Sequence, residues 1–123
     1  MITGFEKYTD ELNEYESSKI LPLIISGMET KKGKDLAITN KMICKLLKLP
    51  PYNCKITEAR VRKIVAHIRI NGLVPNLIAT SKGYYIAETE QEMDNYIESL
   101  DQRINAITVV RDALFYQKNQ SFK

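Results

Sequence analysis

The chain has 123 residues, 44% of them hydrophobic and 27% charged, which suits one soluble globular domain with a real core and is short for two. Its longest apolar runs, ILPLIISGM and LVPNLIAT, fall far short of the roughly 20 residues of a membrane span, and the acidic start MITGFEKYTDELNEYE lacks the basic-then-apolar order of a secretory signal, so a cytoplasmic location is expected. The net charge of +3 is unevenly spread: residues 1–30 hold 2 basic and 6 acidic side chains, residues 31–82 hold 12 and 2, and residues 83–123 hold 4 and 7, giving −4, +10 and −3.

In chain order, Thr9 to about Met28 is predicted helical, with Leu12, Tyr15, Ile20, Leu23, Ile24 and Met28 as its apolar face. Pro22 demands either a kink or a fresh start, since proline is tolerated in a first turn. KKGKD is a loop and DLAIT a short strand candidate. Thr39 or Asn40 caps a helix over NKMICKLLKL, with Met42, Ile43, Leu46 and Leu47 facing inward, and Pro50-Pro51 ends it.

The run KITEARVRKIVAHIRINGLVP follows. Thr57 caps it; Val61, Ile64, Val65 and Ile68 form one apolar stripe; Asn71-Gly72 supplies a left-handed stop. LIAT and YYIAE are predicted strands of a hairpin closed at Ser81-Lys82-Gly83, in which alternation sends one of Tyr84 and Tyr85 inward and the other outward. TEQE at Thr89 matches a capping box. From there to about Lys118 there is no glycine or proline, so a helix of about 28 residues, roughly 42 Å, is expected, with NQSFK frayed.

The expected class is therefore mainly α with a small β-hairpin, an α+β fold. The order helix, short strand, helix, basic helix, hairpin, helix over about residues 17–90, carried by ITEARVRKIVAHIRINGLVPNLIATSKGYYIAET, resembles a winged helix-turn-helix domain. In wording it is similar to small DNA-binding proteins of phage and prophage origin. The length suits a single domain, residues 1–123, in which a winged core over about 17–90 precedes the long helix over about 90–118. The resemblance implies that residues 57–71 enter the major groove of double-stranded DNA and that Lys82 sits at the wing tip.

The helical wheel agrees with that expectation. Opposite the apolar stripe lie Ala59, Lys63, Ala66 and Ile70, flanked by Arg62 and Arg69 on one side and Arg60 and His67 on the other. Small alanines permit close approach to bases, and arginines reach phosphates or guanine. Ala59, Arg60, Lys63 and Ala66 are the expected base-proximal residues, and Arg62, Arg69, Lys82, Lys41 and Lys45 the expected backbone contacts, with His67 beside them. Ile70 fits this poorly and is expected to pack on another segment, the wing or a partner chain.

Other chemistry is thinly supplied. Cys44 and Cys54 are expected as free thiols, and with His67 they match no zinc spacing. No catalytic triad, phosphate loop or nucleotide fingerprint occurs, so neither an enzyme nor a cofactor or metal is expected. Along the last helix Met93, Ile97, Leu100, Ile104, Ile107 and Leu114 recur at spacings of four and three, interrupted by Arg111. Homodimerisation through the terminal helices is the expectation, with Ile97, Leu100, Ile104, Ile107 and Leu114 as its contacts. A basic face docking on an acidic protein partner is the alternative to DNA.

Overall fold

The computed structural model describes residues 12–122. It is mostly helical with one two-stranded antiparallel hairpin, an α+β arrangement. It forms two compact units, divided between Glu88 and Thr89.

In the first unit the chain is helical over residues 14–28. The start is fixed by a reciprocal pair: the Glu16 amide donates to Asn13 Oδ1 at 2.8 Å and the Asn13 amide donates to Glu16 Oε1 at 3.0 Å, which is a capping box built on asparagine. The start expected at Thr9 lies outside the described residues. Pro22 does not interrupt the helical path. It sits in the first turn of α1 (Leu21–Met28), a start beside the proline being one of the two arrangements expected, and the preceding turn, Glu16–Ile20, widens to a π-helix in which the Leu21 amide reaches back to the Glu16 carbonyl. A wide turn gives the proline ring room beside a carbonyl it cannot bond.

DLAIT forms no strand. Lys34–Leu36 is a short 3-10 turn, and strand pairing shrinks to Ile38, which exchanges two backbone bonds with Tyr84 at 3.0 and 2.7 Å. Thr39 then caps α2 (Asn40–Lys48) by accepting from the Met42 amide. The buried face of α2 is Ile43, Cys44 and Leu47. Met42 and Leu46, expected inside, are about half exposed, because Cys44 occupies the inner position and its Sγ donates to the Ile56 carbonyl.

Thr57 caps α3 (Glu58–Ile70), accepting from the Arg60 amide. Val61, Ile64, Val65 and Ile68 are fully buried against Ile20, Ile24 and Met28 of the first helical segment and Ile43 and Leu47 of α2. At roughly 25 cal/mol per Å² of apolar surface, this shared core is what holds the helices together. Gly72, at φ +64°, ends α3. The Leu73 amide returns to the Ile68 carbonyl and the Gly72 amide to that of Arg69, the Schellman pattern of a left-handed stop.

The hairpin consists of β1 (Leu77–Thr80) and β2 (Gly83–Ile86), with Ile78 opposite Tyr85 and Ala79 opposite Tyr84. Gly83 is required twice over: its φ is +122°, and a Cβ there would lie 2.5 Å from the Ile38 backbone. Without a side chain, β2 can lie directly against Ile38. Both tyrosines are buried, contrary to the expectation of one inward and one outward ring. Tyr84 joins the main core and its hydroxyl donates to Asn40 Oδ1, whereas Tyr85 and its cross-strand neighbour Ile78 are buried on the other face.

The second unit is the helix α4 (Glu90–Ser121), 32 residues and about 48 Å long at 1.5 Å per residue. Thr89 caps it, accepting from the Glu92 amide. It continues past the expected end at Lys118 to Ser121.

Candidate nucleic-acid interface

The two flanks of α3 have different surroundings. On one, the Arg60 guanidinium grips both oxygens of the Glu16 carboxylate through Nε and Nη2. Glu16 is only 3% exposed, and it holds its charge because Arg60 bonds it. Burial works in the opposite direction, but the bond to Arg60, the Asn13 amide and the nearby charges of Arg60 and Lys63 outweigh it, and the carboxyl lies below its ordinary value. The same bond raises the Arg60 pKa. The pair thus ties α3 to the start of the first helix.

The hydrogen-bonding edge of Arg60, expected near bases, is bonded to a carboxylate in the structure. Lys63 belongs to the same flank, half-buried, with its charge acting on Glu16. His67 is half-buried one turn on, where the Asn71 side chain lies 3.3 Å from its Nδ1 and donates to its carbonyl oxygen. The signal for this lock was in the sequence. Glu16 falls between Leu12 and Ile20 on the i, i+4 stripe, and an acid on an inward face needs a cation.

The other flank faces the hairpin. Arg69 Nε donates to the Leu77 carbonyl at 3.2 Å, so Arg69 ties α3 to β1. Arg62 is exposed and lines a cleft of about 320 Å³ between the N-terminus of α2, the start of α3 and the hairpin tip. Lys41 lines the same cleft, with Thr39, Asn40, Glu58, Thr80 and Ser81. Lys45 is exposed one turn along α2 from Lys41, and Lys82 is exposed at the hairpin tip beside Ser81. The tip is shaped by Thr80, whose hydroxyl accepts from the Lys82 amide and donates to the Gly83 carbonyl.

The structure therefore brings Arg62, Lys41 and the hairpin tip to one polar hollow and commits Arg60 to Glu16. Ala59 is exposed, Ala66 half-buried, and Ile70 63% exposed, left largely uncovered by the described residues of its own chain. Two cations on a hollow that also presents hydroxyls and the amide end of α2 form a surface suited to phosphate oxygens. An apolar groove of about 190 Å³ between α1 and α2 offers no comparable convergence of cations.

Cys44 and Cys54 are free and buried. Among the described residues, no group of three His, Cys, Asp or Glu side chains is placed to hold a metal ion, and no helix is long and apolar enough to cross a membrane. On α4, Ile97, Ile104, Ile107 and Leu114 are exposed and Leu100 is half-buried. Val110 and Phe115, which the spacing argument passed over, are exposed as well. Comparison with protein-family models, with curated proteins and with solved structures gave no match.

Proposed function

We propose that the unit ending at Glu88 is a winged helix-turn-helix that binds double-stranded DNA, with α3 as its groove-facing helix and the hairpin as its wing. The protein acts as a homodimer joined through α4, in transcription or replication control of a phage-like element. The observation that carries the reading is the cleft itself: Arg62 and Lys41 line it together beside the hairpin tip that bears Lys82. The segment net charge of +10 over residues 31–82 supplies the long-range attraction. The element order, with Ile38 pairing to β2 ahead of α2 and α3, supports the winged arrangement.

In this reading Arg62, Lys41, Lys45 and Lys82 contact the phosphate backbone, and Ala59 allows the first turn of α3 to approach base edges. Arg60 acts indirectly, by holding α3 against the first helix. A gel shift on random duplex tests it. Affinity on the order of micromolar at low salt, falling by orders of magnitude toward roughly 200 mM, is the expected result. No shift at low salt, or a shift indifferent to salt, overturns it and makes an acidic protein the better candidate for the cleft.

A further inference from the structure

We infer that α4 pairs with α4 of a second copy in antiparallel orientation, over a register that spans residues 93–118. This rests on the dimer of the preceding reading and names which way its two helices run. The exposed residues Ile97, Ile104, Ile107 and Leu114 of α4, with Leu100 between them, fall on the a and d positions of one heptad frame, in which Arg111 and Lys118 also take a positions. In a parallel pair each of these cations would face its own copy across the seam. Like charges in that position oppose association.

Charge runs one way along the helix. Residues 90–101 carry five acids and no base, and residues 102–121 carry three bases and one acid. The helix dipole accounts for Glu90, Glu92 and Lys118 at the ends, but its influence fades within a turn and does not reach Asp101 or Arg111, the latter bonded at 2.9 Å to exposed Asp112 of its own helix. Antiparallel pairing accounts for both. With Ile104 set against the partner's Ile107, Leu114 meets the partner's Ile97, Arg111 meets the partner's Leu100 beside an aspartate at 101, and Lys118 meets the partner's Met93 beside an aspartate at 94. Each cation in the seam thus lies next to an acid that directly follows the apolar residue it faces.

Cysteine cross-linking reads the direction. Ile97→Cys and Leu114→Cys replace exposed side chains, and the wild-type thiols, Cys44 and Cys54, are buried. Oxidising a mixture of the two variants should give a mixed disulfide dimer, with little product from either alone. In this register two residues at 97 are separated by about 26 Å along the axis, too far for a disulfide. Self-cross-linking of Ile97→Cys at a similar yield overturns the orientation and leaves the dimer standing. Sedimentation showing one chain, or four, at tens of micromolar overturns the pairing itself, and DNA binding is then judged by the gel shift alone. As an independent measure, Asp101→Lys should weaken the dimer about tenfold, two symmetry-related pairs being lost at once, and adding Arg111→Asp should restore it. Absence of restoration also overturns the register.

Discussion

The two flanks of α3 begin with the same chemistry and end with different roles. Arg60 and Arg62 lie two residues apart on one helix, so their side chains leave it about 200° apart. Arg60 meets the buried carboxylate of Glu16 and becomes part of the structure; Arg62 meets a polar cleft and remains exposed. A count of basic residues treats the two alike. What separates them is whether a neighbouring element presents an acid, and that depends on how the first helix crosses α3.

The difference is tested most severely by charge reversal on the open flank. Lys41→Glu with Arg62→Glu should reduce affinity for duplex DNA at least about a hundredfold and flatten the salt dependence, because two phosphate contacts become repulsions. The helical signal and melting temperature should hardly change, since both side chains are exposed. Unaltered binding in a gel shift would remove the cleft from the interface.

On the locked flank the effect should move from binding to stability. Arg60→Ala leaves a buried carboxylate without its partner and should cost about 2–3 kcal/mol in denaturant unfolding, below the full cost of breaking a buried pair because Arg60 itself is about one-third exposed. DNA affinity of the folded fraction should stay within a few-fold. A larger loss of affinity with no loss of stability would return Arg60 to the DNA-contacting set.

Acid should act on the same lock. The Glu16 carboxyl is held below its ordinary value of 4.5. Its charged form therefore stabilises the fold above that pH, and the contribution fades as pH falls through the depressed value. Glu16→Gln should be less stable than the wild type by about 1–2 kcal/mol at neutral pH, and the two should converge as pH falls through the depressed value, below 4.5. Parallel curves would mean that the carboxylate charge adds nothing to the contact.

Much of the local structure was legible in the sequence because its causes are local. Thr39, Thr57 and Thr89 cap where capping chemistry places them, Gly72 stops α3, and the stripe from Val61 to Ile68 is buried throughout. Contacts that depend on chain crossing were not. Cys44 displaced Met42 and Leu46 from the inner face of α2 because Ile56 returns alongside it, and Tyr85 became buried because the second hairpin face is covered too. At the candidate site, the exposed cations Arg62, Lys41, Lys45 and Lys82 were recognisable by residue type and spacing. The contacts that Arg60 and Arg69 make with Glu16 and the Leu77 carbonyl were not, because those partners lie elsewhere in the chain.

The smallest expected effect falls at the edge of the open flank. Lys82 is exposed at the hairpin tip, and its position comes from Thr80 and Gly83 rather than from its own side chain. A lysine there acts as a point charge toward a single phosphate, without the planar fork that lets Arg62 bond two oxygens. Lys82→Ala should weaken binding only about two- to threefold near physiological salt, equally on every duplex sequence, while lowering the magnitude of the salt slope by about 1. Lys82→Arg should keep the slope. A change of sequence preference, rather than of slope, would place the tip against bases and move the hairpin from a backbone clamp to a reading element.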